Sequence, residues 1–376
     1  MLSHLLSLGF LVTFSAAKQD SLNTVERAAN GLTFTCDELE SSSSGGSTRN
    51  IMLLHGFPNS RLWFKPLLEE WQSTMEAENI HAVACDLRGY SDGAKPTDIA
   101  SYEDMEDLFV DDVFALATAT FGRRANFHLV GHDHGAVLGW LVAKQGQESG
   151  RILSFTAMSV PHNDLFSSAL CGPDEDPVQA IVSNYFNQWT DAGAATEQMF
   201  ENVGGIFGFS SREDMRLAMF WYYAARRHVA VPRVISDDEV PEAGVILRLV
   251  REGLPLEPRP CIPQEEQVGE VDLPVMFVCG ALDPFILCTD ERYQSPSSSL
   301  LPNYRYTEAP ECGHDFFIPA NCNDNPSAVT GVMQAITEFI VLHEENDECF
   351  LMFIPIVGGF LCQIWDSILG FVSSFF

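Results

Sequence analysis

The segment LVGHDHGAVLGW, residues 129 to 140, sets Asp133 between His132 and His134, and that triplet between Gly131 and Gly135. Two chemistries could use these residue types. A His-Asp-His triplet could ligate a metal, but adjacent residues on a strand or helix point in different directions and rarely converge on one ion. No other His/Cys/Glu cluster has metal-ligand spacing, so no metal is expected. The alternative is a nucleophile on a tight turn. Residues 127 to 130 read as a strand and Ala136 to Lys144 as a helix-forming run, so the triplet falls where a strand turns sharply into a helix. In a Gly-x-nucleophile-x-Gly turn the glycines admit close backbone approach and the central side chain is held exposed. On that reading Asp133 is the reagent and His132 a packing residue beside the turn.

A turn of this kind needs a sheet to carry it. GLTFTCDEL near residue 31 reads as a first strand, SSSSGGSTRN as a loop, IMLLHGFPNS as a buried strand entering a loop, and NIHAVACDLRGYSDG as a second such unit. SYEDMEDLFVDDVFALATATFG reads as a helix with Ser101 as N-cap and Asp104 three residues on. Strands RILSFTAMSV, LPVMFVCG and YRYTEA follow, and residues 326 to 343 close the series with Val329, Met333, Ile336 and Ile340 on one helical face. Strands alternating with helices imply an α/β fold with a doubly wound, mostly parallel sheet. About 110 residues without a strong strand signal separate the strand ending near Val160 from the one starting at Leu273. The expected organisation is a core of residues 25–162 and 269–343, with residues 163–268 inserted as a helical cap over the sheet edge where ligands bind.

Composition narrows the partners. The chain has 376 residues, 46% of them apolar, and a formal charge of -31 from 52 acidic against 21 basic residues. Such a surface repels nucleic-acid phosphates and anionic membranes, so a small neutral or apolar molecule is the expected partner. Residues 1–17 carry an apolar run from Leu5 to Phe14 and small residues Ser15 and Ala17 at a cleavage position, which reads as a signal peptide and places the protein outside the cell or in the endomembrane lumen. Residues 344–376 form a hydrophobic C-terminal tail, almost wholly apolar from Cys349 onward but broken by Pro355, Gln363 and Asp366. It is long enough to span a membrane, and suits an in-plane helix or a docking tail equally well. Of the ten cysteines, Cys85 and Cys279 fall at the ends of strands, where free thiols are ordinary core residues. A bridge between Cys312 and Cys322 would pin the loop carrying His314. Pairing is not readable from spacing.

Five motifs in fixed order give the chain a resemblance to the α/β-hydrolase family, in its aspartate-nucleophile branch of epoxide hydrolases and dehalogenases. They are HGFP at 55 to 58, DLRGYSDG at 86 to 93, GHDHG at 131 to 135, GALDPF at 280 to 285 and ECGHDFF at 311 to 317. The resemblance implies Asp133 as nucleophile, Asp283 as acid and His314 as base. A carboxylate can attack an electrophilic sp3 carbon and form an alkyl ester. His314, oriented by Asp283, would then activate the water that hydrolyses that ester. The backbone N–H groups of Phe57 and His134 would form the oxyanion hole for the second step. Asp164, after the preceding strand, is the alternative acid, and His55 and Arg88 are expected to be structural.

The neighbours of the nucleophile bear on the electrophile. Haloalkane dehalogenases similar to this chain would place tryptophan after the aspartate and asparagine after HG, where His134 and Phe57 stand. Haloacetate dehalogenases would place arginines just after the nucleophile, where His134 and Val137 stand. Epoxide hydrolases most often have tryptophan at the position of His134, so this chain departs from that pattern as well. MFWYYAARR, residues 219 to 227, is similar to the epoxide-hydrolase stretch carrying a catalytic tyrosine, which makes Tyr222 the matching phenol, Tyr223 its near alternative and Tyr185 the second tyrosine. The same aromatics would also suit the packing face of a helix. The implied activity is an epoxide hydrolase that needs no cofactor. The alternatives are a haloalkane or haloacid dehalogenase on the same triad and a non-catalytic binding protein on the same scaffold, held to a membrane by its tail.

Overall fold

The computed structural model of this chain describes residues 21–40, 48–74, 79–95, 105–183, 215, 218, 261–262 and 267–351. One sheet of eight strands runs in the order β1-β2-β4-β3-β5-β6-β7-β8. The strands are β1 (Ser21–Ala29), β2 (Leu32–Glu40), β3 (Arg49–Leu54), β4 (Ile80–Cys85), β5 (Phe127–His132), β6 (Ile152–Met158), β7 (Val275–Gly280) and β8 (Tyr304–Ala309). β2 pairs antiparallel with both β1 and β4. All other neighbours are parallel. The doubly wound, mostly parallel sheet expected from the alternation of strands and helices is therefore present.

Its central strands look continuously apolar because both faces are covered. On β3, Met52 and Leu54 enter one hydrophobic cluster while Ile51 and Leu53 enter the other. β7 divides in the same way, Val275, Phe277 and Cys279 against Met276 and Val278. The two-residue period of a strand thus feeds two cores at once, as parallel sheets require. Helices α2 (Met105–Phe121) and α3 (His134–Ser149) close the first face with Phe109, Val113 and Trp140. Helix α1 (Lys65–Thr74) and the C-terminal helix close the second with Trp71, Ile336 and Ile340. Trp71 Nε1 donates to Thr337 Oγ1 at 2.8 Å, which ties those two helices together.

Three local readings change. The strand expected near residue 31 is preceded by a second one, β1, joined to it through Asn30 and Gly31, both at positive φ (48° and 75°). Asn-Gly is the residue pair that such a two-residue hairpin turn demands, and it stands in the sequence as ANGL. The closing helix runs Pro326–Leu351, eight residues beyond the expected end at His343. Cys85 and Cys279 are not free thiols: the structure holds the cystines Cys36–Cys85, Cys171–Cys261, Cys279–Cys288 and Cys312–Cys322.

After β6 the chain forms α4 (Asn163–Leu170) and α5 (Pro177–Val182), and it rejoins the sheet just before β7. The two ends meet. Asp164 accepts the backbone N–H groups of Val268 and Gly269 on its two oxygens at 2.9 and 2.8 Å. His162 Nε2 bonds the Gly269 carbonyl at 3.1 Å, and Cys171–Cys261 crosses the same neck. The cap tyrosines Tyr185, Tyr222 and Tyr223, the N-cap Ser101, the N-terminal segment 1–17 and the tail from 352 lie outside the described residues. Among the described residues no helix is long and apolar enough to cross a membrane.

Candidate active site

Asp133 stands between β5 and α3 with φ 53° and ψ -119°, a backbone state that costs a non-glycine residue on the order of 1–3 kcal/mol. The surroundings over-determine it. Its N–H donates to Met158 O at 3.1 Å, and its carbonyl accepts from Ala136 and Val137 at 2.9 and 3.1 Å. The flanking glycines are needed for space. A Cβ on Gly131 would stand 2.3 Å from Gly135 O, and one on Gly135 would stand 2.0 Å from Leu54 O. Only with bare backbone at both positions can the helix start this close to the sheet.

The side chain of Asp133 meets three groups. Phe57 N–H donates to Oδ1 at 2.8 Å, His314 Nε2 lies 3.2 Å from Oδ2, and the backbone N–H of His134 also bonds it. The HGFP loop reaches the carboxylate because Gly56 lacks a side chain, since a Cβ there would sit 2.5 Å from Asp133 Cβ. On its other edge His314 places Nδ1 2.8 Å from Asp283 Oδ2. Asp283 Oδ1 is taken by the N–H groups of Phe285 and Ile286 at 2.8 and 3.1 Å, which fixes the carboxylate's orientation. Asp283 has a side-chain exposure of 0%, whereas Asp133 retains 15%. The Asp283 carboxylate is sealed, whereas that of Asp133 can be reached.

Charge follows from this geometry. Burial on its own would raise the Asp133 pKa, but the hydrogen bond and charge of His314, then His132, then the His134 N–H hold it well below the ordinary carboxylate range. Burial on its own would lower His314, but the carboxylates of Asp283 and Asp133 raise it well above the ordinary histidine value. The site therefore favours the protonated ring of His314 and the ionised side chain of Asp133. It can therefore present a charged oxygen nucleophile, and it keeps a group beside it that can take or give one proton.

Asp164, weighed as the alternative acid, bonds the neck at Val268 and Gly269. His55 Nδ1 bonds Gly56 O at 2.8 Å while its Nε2 accepts Leu87 N–H at 2.9 Å. Burial lowers its pKa, so this neutral ring joins two loops. Arg88 donates two 2.6 Å bonds to Asp112 in the interior.

His132 does more than pack. Its ring stacks on Trp63 at 3.7 Å and 10°, and Nε2 bonds the backbone carbonyl of His314 at 3.0 Å. Burial pushes its pKa down to about 4. Ser159, at φ 67°, donates its hydroxyl to the same carbonyl at 2.7 Å. Asp315 Oδ1 accepts from both Asn59 Nδ2 and Trp63 Nε1 at 3.0 Å. Trp63, Ser159, Asn59 and Asp315 thus support the site and were not singled out for it from sequence, because they lie up to 256 residues apart and no motif links them.

A profile of the alpha/beta hydrolase family matches residues 51–329, most of the chain and all three charged residues of the site. The chain belongs to that family. Among its relatives is epoxide hydrolase 4 of Mus musculus, 28% identical over 136 residues, which are 36% of this chain and 34% of that protein. Fluoroacetate dehalogenase of a Burkholderia species is 35% identical over 122 residues, 31% of this chain and 36% of that protein. The chain thus aligns with about a third of the length of these curated relatives. Two solved structures share the fold. An epoxide hydrolase from hot-environment metagenomes has a TM-score of 0.57 at 20% identity, covering 84% of this chain and 99% of that one. The Bacillus megaterium epoxide hydrolase has a TM-score of 0.52 at 21% identity, covering 83% and 99%.

Proposed function

We propose that this member of the alpha/beta hydrolase family is an epoxide hydrolase that works through a covalent ester on Asp133. The observation that carries the reading is the unbroken chain Asp133–His314–Asp283, with 3.2 and 2.8 Å contacts, in which the elbow residue is itself a carboxylate. In the first step an Asp133 oxygen bonds to an epoxide carbon, the ring C–O bond breaks, and the released alkoxide takes a proton from a phenol, the role proposed for Tyr222 with Tyr185 beside it. In the second, a water gives a proton to neutral His314 and its oxygen attacks Cγ of the ester. The charge that builds on the ester oxygen faces the N–H groups of Phe57 and His134. The Cγ–alkoxide bond then breaks, the diol leaves with the proton from His314, and the proton left on the Asp133 carboxyl passes back through the site to the phenolate, restoring both groups.

The fluoroacetate dehalogenase relative favours a second reading in which the same carboxylate displaces halide. His134 and Val137 supply no guanidinium for a haloacid carboxylate, so we place it second. The four cystines and the N-terminal apolar run support secretion or residence in the endomembrane lumen. Membrane association would have to come from the tail.

The deciding experiment uses His314→Gln, incubated with epoxides and organohalides and read by intact mass. Gain of the full epoxide mass, absent when Asp133→Asn is added, supports the first reading. Gain of substrate minus hydrogen halide supports the second, and no adduct with any compound rejects both.

A further inference from the structure

The acid and the base of the site each stand inside a short loop closed by a cystine. Cys279, the last residue but one of β7, pairs with Cys288, nine residues on, around Asp283. Cys312 follows β8 and pairs with Cys322, ten residues on, around His314. All four half-cystines are 0–4% exposed. The loops are also fused to one another. Leu282 N–H, adjacent to Asp283, donates to Cys312 O at 2.9 Å, and Ala281 N–H donates to Ala309 O at 3.0 Å. Gly280 lies so close to the second loop that a Cβ would stand 2.2 Å from Gly313 O and 2.5 Å from Cys312 O.

Asp133 is held differently. Its turn is fixed by a strand, a sixteen-residue helix and two glycines, and no cystine closes on it. Neither Asp283 nor His314 has a helix of its own to hold it. Asp283 follows a strand end, and the His314 segment is irregular backbone up to the short turn Pro319–Cys322. Irregular loops are the parts of a fold that open most easily, and a cross-link restricts what such a loop can sample.

We propose that these two cystines are positioning devices for the acid–base couple, so that the Cys279–Cys288 and Cys312–Cys322 pairs set the rate of ester hydrolysis and leave attack by Asp133 largely untouched. This rests on the covalent-ester reading above. A displacement of about 1 Å at the base costs on the order of 10²-fold in a positioned proton transfer, whereas the nucleophile keeps the hydrogen bond from Phe57 and the elbow that presents it.

The test uses the full chain with Cys312→Ala/Cys322→Ala and, separately, Cys279→Ala/Cys288→Ala. Cys36→Ala/Cys85→Ala, which unpins β2 from β4 away from the couple, serves as the control for general loss of stability. Styrene oxide is mixed with each variant, quenched over time and followed by intact mass, beside His314→Gln as the trapping standard. The expected result is that both loop variants accumulate the alkyl ester, with hydrolysis slowed on the order of 10²-fold and alkylation within a few-fold of wild type. The control loses melting temperature without accumulating ester. Loop variants that hydrolyse at the wild-type rate, or slow both steps alike as the control does at equal loss of stability, overturn the proposal. If His314→Gln itself traps nothing with any epoxide, the ester reading fails first and the cystine proposal fails with it.

Discussion

Oδ2 of Asp133 lies 3.2 Å from Nε2 of His314, so the proposed nucleophile and the proposed base are one ion pair before any substrate arrives. Each holds the other charged. Alkylation of Asp133 removes both its negative charge and its hydrogen bond, two of the influences that raise the His314 pKa. In the proposed cycle, formation of the ester would free the imidazole to lose its proton and become the base that the second step needs.

The two steps should consequently part company in acid. Asp133 stays ionised far below the ordinary carboxylate range, so alkylation continues as pH falls, while ester hydrolysis needs neutral His314 and is lost as pH falls through the pKa of the alkylated enzyme. Quenched intact-mass measurements across pH should show a growing ester fraction toward acid. Asp283→Asn removes a charge that raises His314, so it should move that limb to lower pH while reducing the hydrolysis rate. A limb that moves upward would contradict the assignment.

Gly56→Ala should fold and fail to alkylate. The added Cβ would meet Asp133 Cβ at 2.5 Å and Oδ1 at 2.6 Å, closer than carbon and oxygen atoms tolerate, and the nucleophile is what must yield. A fall on the order of 10²-fold in ester formation is expected, with a circular-dichroism spectrum matching wild type. Unchanged ester formation would mean that the HGFP loop moves instead.

The Arg88–Asp112 pair should matter for stability far from the chemistry. Both side chains are about 5–6% exposed, burial raises the pKa of Asp112 against the pull of Arg88, and Asn30 donates to the same carboxylate at 2.8 Å. Arg88→Met leaves a buried charge uncompensated and should cost about 3–5 kcal/mol in urea unfolding. Adding Asp112→Leu should recover much of that loss. Additive losses in the double variant would show that the pair is not coupled.

Acid should also destabilise the fold before the carboxylates titrate. Burial lowers His128 to about 3 and His132 and His162 each to about 4. Between pH 6.5 and 4 the unfolded chain binds protons at these positions and the folded one does not. Stability therefore falls as pH falls, by up to about 1.4 kcal/mol per pH unit for each histidine. Urea midpoints at pH 6.5 and 5 measure it, and equal midpoints would mean that these rings are charged inside.

Legibility in the sequence followed distance along the chain. The elbow could be read because glycine, aspartate and glycine lie within five residues of a strand and a helix, and the sterics that demand them are local. β7 could be read because burial on both faces leaves an unbroken apolar run, and β5 because Phe127, Leu129 and Val130 lead directly into the elbow. The contacts that support His314 could not. Ser159, Trp63, His132 and Asp315 converge on or around its backbone only after the sheet has formed. The hairpin before β2 was legible in principle, since Asn30-Gly31 announces it, but β1 places Leu22 and Val25 three residues apart, without the two-residue alternation that marks a strand. Cystine partners were not legible for a different reason: spacing does not encode pairing, and Cys36 meets Cys85 only because β2 and β4 are neighbours.

Asp164 gathers the N–H groups of Val268 and Gly269 on one carboxylate, so the chain leaves the sheet after β6 and returns to it before β7 at one neck. β6 and β7 pair side by side regardless of how much sequence passes through it, since their register is set on the sheet side. A lineage could rewrite much of the sequence between them without asking the sheet to refold.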